Sequence, residues 1–170
     1  MRQSIVPTTP IEPVLLHREP GAHAFYTWRN VMITTWSQRA TGTAIEKVTA
    51  LREQMDRDHP EGVSVIYLIG NGAGMPTPEA RAGVKELMAR FHNKRACIAI
   101  LVQGEGFWAS AMRAVITGVR LLVPLSFPMQ VFGDAKELIA WLPERHQRHT
   151  GIRIGPRELQ TVLEQLLATL

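Results

Sequence analysis

Two near-continuous apolar runs, Val63 to Ile69 and Ala96 to Val102, constrain this chain most, because each is followed by a glycine turn and then by a segment of helical period. A strand that is apolar at almost every residue needs cover on both faces. Parallel sheets supply that cover, since each crossover connection lays a helix on the sheet. The connecting segments fit the role. The first helix is expected to open at Thr43, whose hydroxyl would cap it while Glu46 closes a capping box, and to carry Ile45, Val48, Leu51 and Met55 inward until His59-Pro60. Thr77 and Pro78 are the cap and first position of the next, with Ala80, Val84, Leu87, Met88 and Phe91 on its inner face. A third helix, from about Phe107 to Val123, places Trp108, Met112, Val115, Val119 and Leu122 on one side and stops before Pro124.

Before this alternating region, Val14 to His17, His23 to Trp28 and Val31 to Ser37 are rich in aromatic and β-branched residues and are broken by Pro20-Gly21 and Arg29-Asn30, the pattern of an antiparallel meander. After it, Met129 to Phe132 reads as a last short strand. Asp134 caps a helix expected to end at Leu142, with Leu138, Trp141 and Leu142 buried and Pro143 as terminator. The fold class is α/β: a mixed, mostly parallel sheet with helices on both faces, an antiparallel N-terminal meander and an extra C-terminal helix. The expected organisation is an extended arm over residues 1–13, one α/β domain over 14–142, and a basic linker with an amphipathic helix over 143–170. In that last helix Leu159, Val162, Leu163, Leu166, Leu167 and Leu170 form a single stripe, to be buried on its own domain or in a homodimer or partner contact.

Composition narrows the function classes. The net charge is +4, but Arg52, Arg57, Arg81, Lys85, Arg90, Lys94, Arg95, Arg113 and Arg120 are dispersed along helical segments beside acidic residues. They read as solvated faces rather than as a phosphate-binding patch, so nucleic acid is not an expected partner. The single cysteine, Cys97, lies inside an apolar run and reads as a small buried hydrophobe. Neither the first residues nor any later stretch carries the apolar run of a secretion signal or a membrane span of about 18 residues, so a cytoplasmic location is expected.

The chemistry-bearing candidates sit in two turns. Gly70-Asn71-Gly72-Ala73-Gly74 follows one buried strand and precedes a helix, where backbone amides can hold an anion. Met75 stands where a dinucleotide fingerprint needs its third glycine, and no Gly-Lys-Ser or Gly-Lys-Thr follows. The second turn, Gln103-Gly104-Glu105-Gly106-Phe107-Trp108, follows the other strand, and in a parallel sheet both turns share one rim. Each also has an ordinary structural reading, as a turn requiring positive φ and as the first turn of a helix packed on the core. His146 and His149, spaced as His-x-x-His in a basic segment, read as solvated linker; no metal and no cofactor is expected. No Gly-x-Ser-x-Gly elbow is present.

The element order, closing in Val131-Phe132-Gly133-Asp134-Ala135-Lys136-Glu137-Leu138-Ile139-Ala140-Trp141-Leu142, resembles the STAS and SpoIIAA-like domains over about residues 14–142. The resemblance implies a partner-switching module that docks a kinase-like protein through a loop bearing a phosphorylated serine in an Asp-Ser motif. That loop corresponds to Gly70 through Thr77, where Thr77 is the sole hydroxyl, so Thr77 is the candidate phosphorylation site beside its role as a helix cap. Some SpoIIAA-like relatives are compared with lipid-binding folds, which implies an apolar ligand under the first turn of the Phe107 helix.

The leading expectation is a non-enzymatic regulatory or protein-interaction domain using Asn71, Gly72, Gly74, Met75, Thr77, Gly104, Phe107 and Trp108. The alternative is a binding domain for a small lipid or anion, with Trp108 and Met112 lining a pocket and Arg113 meeting the anion. An enzyme whose residues meet only in space is a third class.

Overall fold

A computed structural model describes residues 12–92, 97–122 and 124–170. Most of the expected N-terminal arm, Lys94, Arg95 and Ala96, and Val123 lie outside the described residues, as does the side chain of Val119. The sheet has six strands in sequential order: β1 (Val14–Glu19), β2 (His23–Trp28), β3 (Val31–Trp36), β4 (Ser64–Ile69), β5 (Ile98–Val102) and β6 (Met129–Phe132). The first three pair antiparallel and the rest parallel, as the composition of the two halves implies. Between them run α1 (Gly42–Asp58), α2 (Pro78–Phe91) and α3 (Gly106–Leu121), and after β6 come α4 (Ala135–Thr150) and α5 (Pro156–Leu167).

Sequential strand order decides where the helices go. Crossovers that keep the usual right hand and step the same way across the sheet deliver their helices to one face. Accordingly Ile45, Val48 and Met55 of α1, Leu87, Met88 and Phe91 of α2, and Met112 of α3 pack with Met32, Trp36, Val65, Ile98 and Ile100. The alternate strand residues, Tyr26, Ile33, Ile66, Leu68 and Leu101, face the other way, onto Leu138 and Leu142 of α4 and Leu159, Val162, Leu163 and Leu166 of α5. The C-terminal stripe is thus buried within its own chain.

Four local expectations are corrected. Thr41, rather than Thr43, caps α1, its side chain accepting from the Ala44 N–H. Leu122 is 67% exposed instead of joining the inner face of α3, because the helix ends one residue earlier. Arg52 is 4% exposed rather than solvated. The helix that begins at Asp134 does not stop at Pro143 but continues to Thr150, so the expected linker is helical. Interior proline costs a helix roughly 3 kcal/mol. The offset comes from tertiary anchoring, since Leu138, Leu142, His146 and Thr150, each one helical repeat on, are all buried.

His146 is the strongest of these anchors, and it is buried rather than part of a solvated His-x-x-His. Asn30 donates through Nδ2 to the Gly62 carbonyl at 2.9 Å, so its Oδ1 accepts from His146 Nε2 at 3.0 Å. His146 Nδ1 then accepts from the Ser64 hydroxyl at 2.7 Å. Every atom in this chain is satisfied only while the imidazole is neutral. Burial, with the Arg29 charge adding to it, pushes the pKa of His146 down to about 4. The ordinary value of 6.5 applies to the unfolded chain, which therefore binds the proton first as pH falls. Stability is expected to be intact above pH 6.5 and to fall between pH 6.5 and about 4, by roughly 3 kcal/mol from this residue. His23 and His149 shift in the same direction and add to the loss. Urea midpoints measured across that window check this; a His146→Gln chain should show a flatter profile, and an equally steep one would assign the slope elsewhere.

Candidate functional site

β4 and β5 run parallel with Val65 beside Ile98 and Ile69 beside Val102, so both glycine turns do emerge at one rim. They touch there: a Cβ placed on Gly104 would lie 2.6 Å from Asn71 Oδ1. Gly72, Gly74 and Gly104 all adopt positive φ, the ordinary reason for glycine in such turns. Thr77 caps α2 by accepting from the Ala80 N–H at 3.1 Å, and its own N–H donates to the Ala40 carbonyl. Phe107 is 90% exposed and walls no pocket. Trp108 is half-buried against the core and does not line the cavity beneath α1, α2 and α3, its Nε1 buried without a partner among the described residues. Arg113 lies along Gly133 at the end of β6. The expected rim therefore exists as geometry, with Asn71 and Gly104 touching across it. A sequential sheet lacks the reversal of strand order that opens a crevice at such a rim.

Convergence occurs one layer below. Between the sheet and α1, α2 and α3 lies a cavity of about 120 Å³, of the order of an engineered apolar cavity that admits benzene. Its floor is Met32, Trp36, Val65, Tyr67, Ile69, Ile98 and Ile100, and its roof includes Val48, Val84, Leu87, Met112, Val115 and Ile116. Ala73, Gly74 and Pro76 line one end beside the exposed Gln38 and Arg81, so the first glycine turn borders the mouth. From Val65 to Ile69 the floor spans about 13 Å at the rise of a strand. Of the ten residues expected to bind, Gly74 and Met112 line the cavity, and the other eight do not.

Two polar groups stand on this apolar wall. Arg52 occupies the core stripe of α1 between Val48 and Met55, and Nε donates to Asp56 Oδ1 at 3.0 Å. Its guanidinium carbon sits 5.0 Å from the centre of the Phe91 ring. Nη2, however, is buried with no hydrogen-bond partner among the described residues, as is Asp56 Oδ2. Tyr67 points into the same cavity from the centre of the sheet. Burial pushes its phenol up to about 12 despite the opposing pull of Arg52, so the hydroxyl remains protonated and able to donate. A signal for each stands in the sequence: Arg52 falls on an apolar stripe at i+4 from Val48, and Tyr67 alternates with Val65 and Ile69.

The Ser64–His146–Asn30 chain has the order of a hydrolytic relay, yet all three side chains are sealed and line neither the cavity beneath α1, α2 and α3 nor the more open cleft beside Pro20. Cys97 is also buried beside them, its thiol pushed up to about 11 by burial with Ser64 pulling the other way. Such groups satisfy one another and hold α4 to the sheet. Among the described residues no group of three His, Cys, Asp or Glu is placed to hold a metal ion, and no helix is long and apolar enough to cross a membrane.

A Gly104→Ala substitution separates rim from cavity. Its φ of +94° disfavours any side chain, so a loss of about 1–2 kcal/mol is expected in urea unfolding. Ligand uptake by the cavity should be unchanged, because Gly104 lies outside it.

No protein-family model and no curated protein matches this sequence.

Proposed function

We propose that this chain is a non-enzymatic binding domain whose working site is the cavity beneath α1, α2 and α3, taking a small, largely apolar molecule. The observation that carries this reading is an apolar cavity bordered at its mouth by a glycine turn and furnished inside with only a few polar groups, the general pattern of ligand sites. The resemblance to SpoIIAA-like domains, some of which are compared with lipid-binding folds, supports it. We place its work in the cytoplasm, where the lone Cys97 would remain a thiol.

Native mass spectrometry after gentle purification tests this reading. An adduct of small-molecule mass that disappears on denaturation is expected; a clean chain mass that also fails to take up any added apolar ligand would overturn it.

A second reading, a regulatory interaction module of the partner-switching kind, is favoured by the exposure of Phe107 at the shared rim, with Met75 also solvent-facing. A side chain so exposed at a helix start adds nothing to the core. On this reading Phe107→Asp leaves the melting temperature unchanged and abolishes capture of a protein partner, whereas Thr77→Glu weakens α2 by removing its cap.

A further inference from the structure

The cavity's polar groups assign a class of ligand. We infer that the site takes an uncharged, largely apolar molecule with one carbonyl oxygen, received by Arg52 and Tyr67; the inference rests on the cavity being the ligand site.

Arg52 Nη2 is buried, unpartnered among the described residues, and carried by a side chain that lines the cavity. Leaving such a group unsatisfied is costly, more so for a charged donor. Tyr67, protonated, offers a second donor from the opposite wall. A carbonyl oxygen has two lone pairs and can accept from both.

Charge selects between a neutral and an anionic acceptor. Asp56 already balances Arg52, with Oδ1 at 3.0 Å from Nε, and Oδ2 has no partner among the described residues. A ligand carboxylate would bring a second negative charge beside Asp56 into an apolar layer, where desolvation outweighs the attraction left over. Arg81, the other cation on the cavity wall, gives Nη1 to the Pro76 carbonyl at the exposed mouth. Deep recognition of an anion is therefore disfavoured.

Three probes of one chain length separate the cases: 2-heptanone, heptanoate and heptane, with dissociation constants measured on the full chain by titration calorimetry. The ketone should bind about tenfold tighter than heptane, the equivalent of one hydrogen bond to a charged donor, and tighter than heptanoate. Tyr67→Phe should narrow the ketone's advantage over heptane several-fold, a ratio in which any general change of the cavity wall cancels. Heptane equal to the ketone would overturn the assignment of a carbonyl while keeping the cavity as a ligand site. Heptanoate as the tightest ligand would overturn it in favour of an anion. If none of the three binds, the ligand-site reading falls with it. The comparison within the wild-type chain does not depend on how any variant folds.

Discussion

Deleting residues 156–170 should cost the chain its cooperative fold, not merely trim its end. Leu159, Val162, Leu163 and Leu166 are buried with Ile66, Leu68 and Leu101 on the sheet face opposite the cavity. Burying one such side chain contributes roughly 1.5–3 kcal/mol, so the four together are comparable with the roughly 5–15 kcal/mol that holds a typical domain together. The deletion also removes Leu170, whose Cδ2 would lie 3.5 Å from a Cβ placed on Gly70, and Glu158, which pairs with Arg29 at 2.9 Å. The truncated chain is expected to lose its sharp melting transition by circular dichroism and to elute as aggregate. An unchanged melting temperature and elution volume would show that α5 contributes nothing to this core.

The second large effect concerns binding. Val84 of α2 is half-buried and lines the roof of the cavity. In a filled interior, Val84→Phe would be overpacked and cost about 1–3 kcal/mol. Over a cavity, the added ring has room, and the surface it buries supports the fold. We expect the variant to melt at or above the wild-type temperature and to lose apolar ligand binding altogether. A substantial fall in melting temperature with binding retained would mean that the side chain points into packed atoms and that the ligand lies elsewhere.

The architecture was legible because periodicity and burial agree in this chain. The runs around Val65 and Ala99 are apolar at almost every residue, and strands covered on both faces are what the sheet contains. Thr77-Pro78 and Asp134 open their helices as their chemistry requires. The extension of α4 through Pro143 was not legible, because it depends on His146 meeting Ser64 and Asn30, which are distant in sequence. Local propensity opposed the helix, and long-range contacts prevailed.

For the site, the sequence indicated the rim but not the cavity. Glycine turns are conspicuous by composition, and their shared edge followed from parallel pairing. What composition could not convey is how closely three helices on one face approach the sheet. Gly83 brings α2 near Ile45 of α1, a Cβ there lying 3.0 Å from Ile45 Cγ2, while the space beneath α2 and α3 remains unfilled by side chains. Arg52 reads as one more solvated charge because arginine usually is one, although its place on the α1 stripe signals burial.

The claim on which this account turns is that ligands enter beneath α1, α2 and α3 instead of settling on the glycine rim. Methyl-labelled protein titrated with 2-heptanone and followed by NMR tests it directly. Saturable shifts at Val48, Val84, Met112 and Ile116, with the exposed Met75 at the rim unmoved, are the predicted result. Shifts at Met75 while the cavity methyls stay still would contradict it.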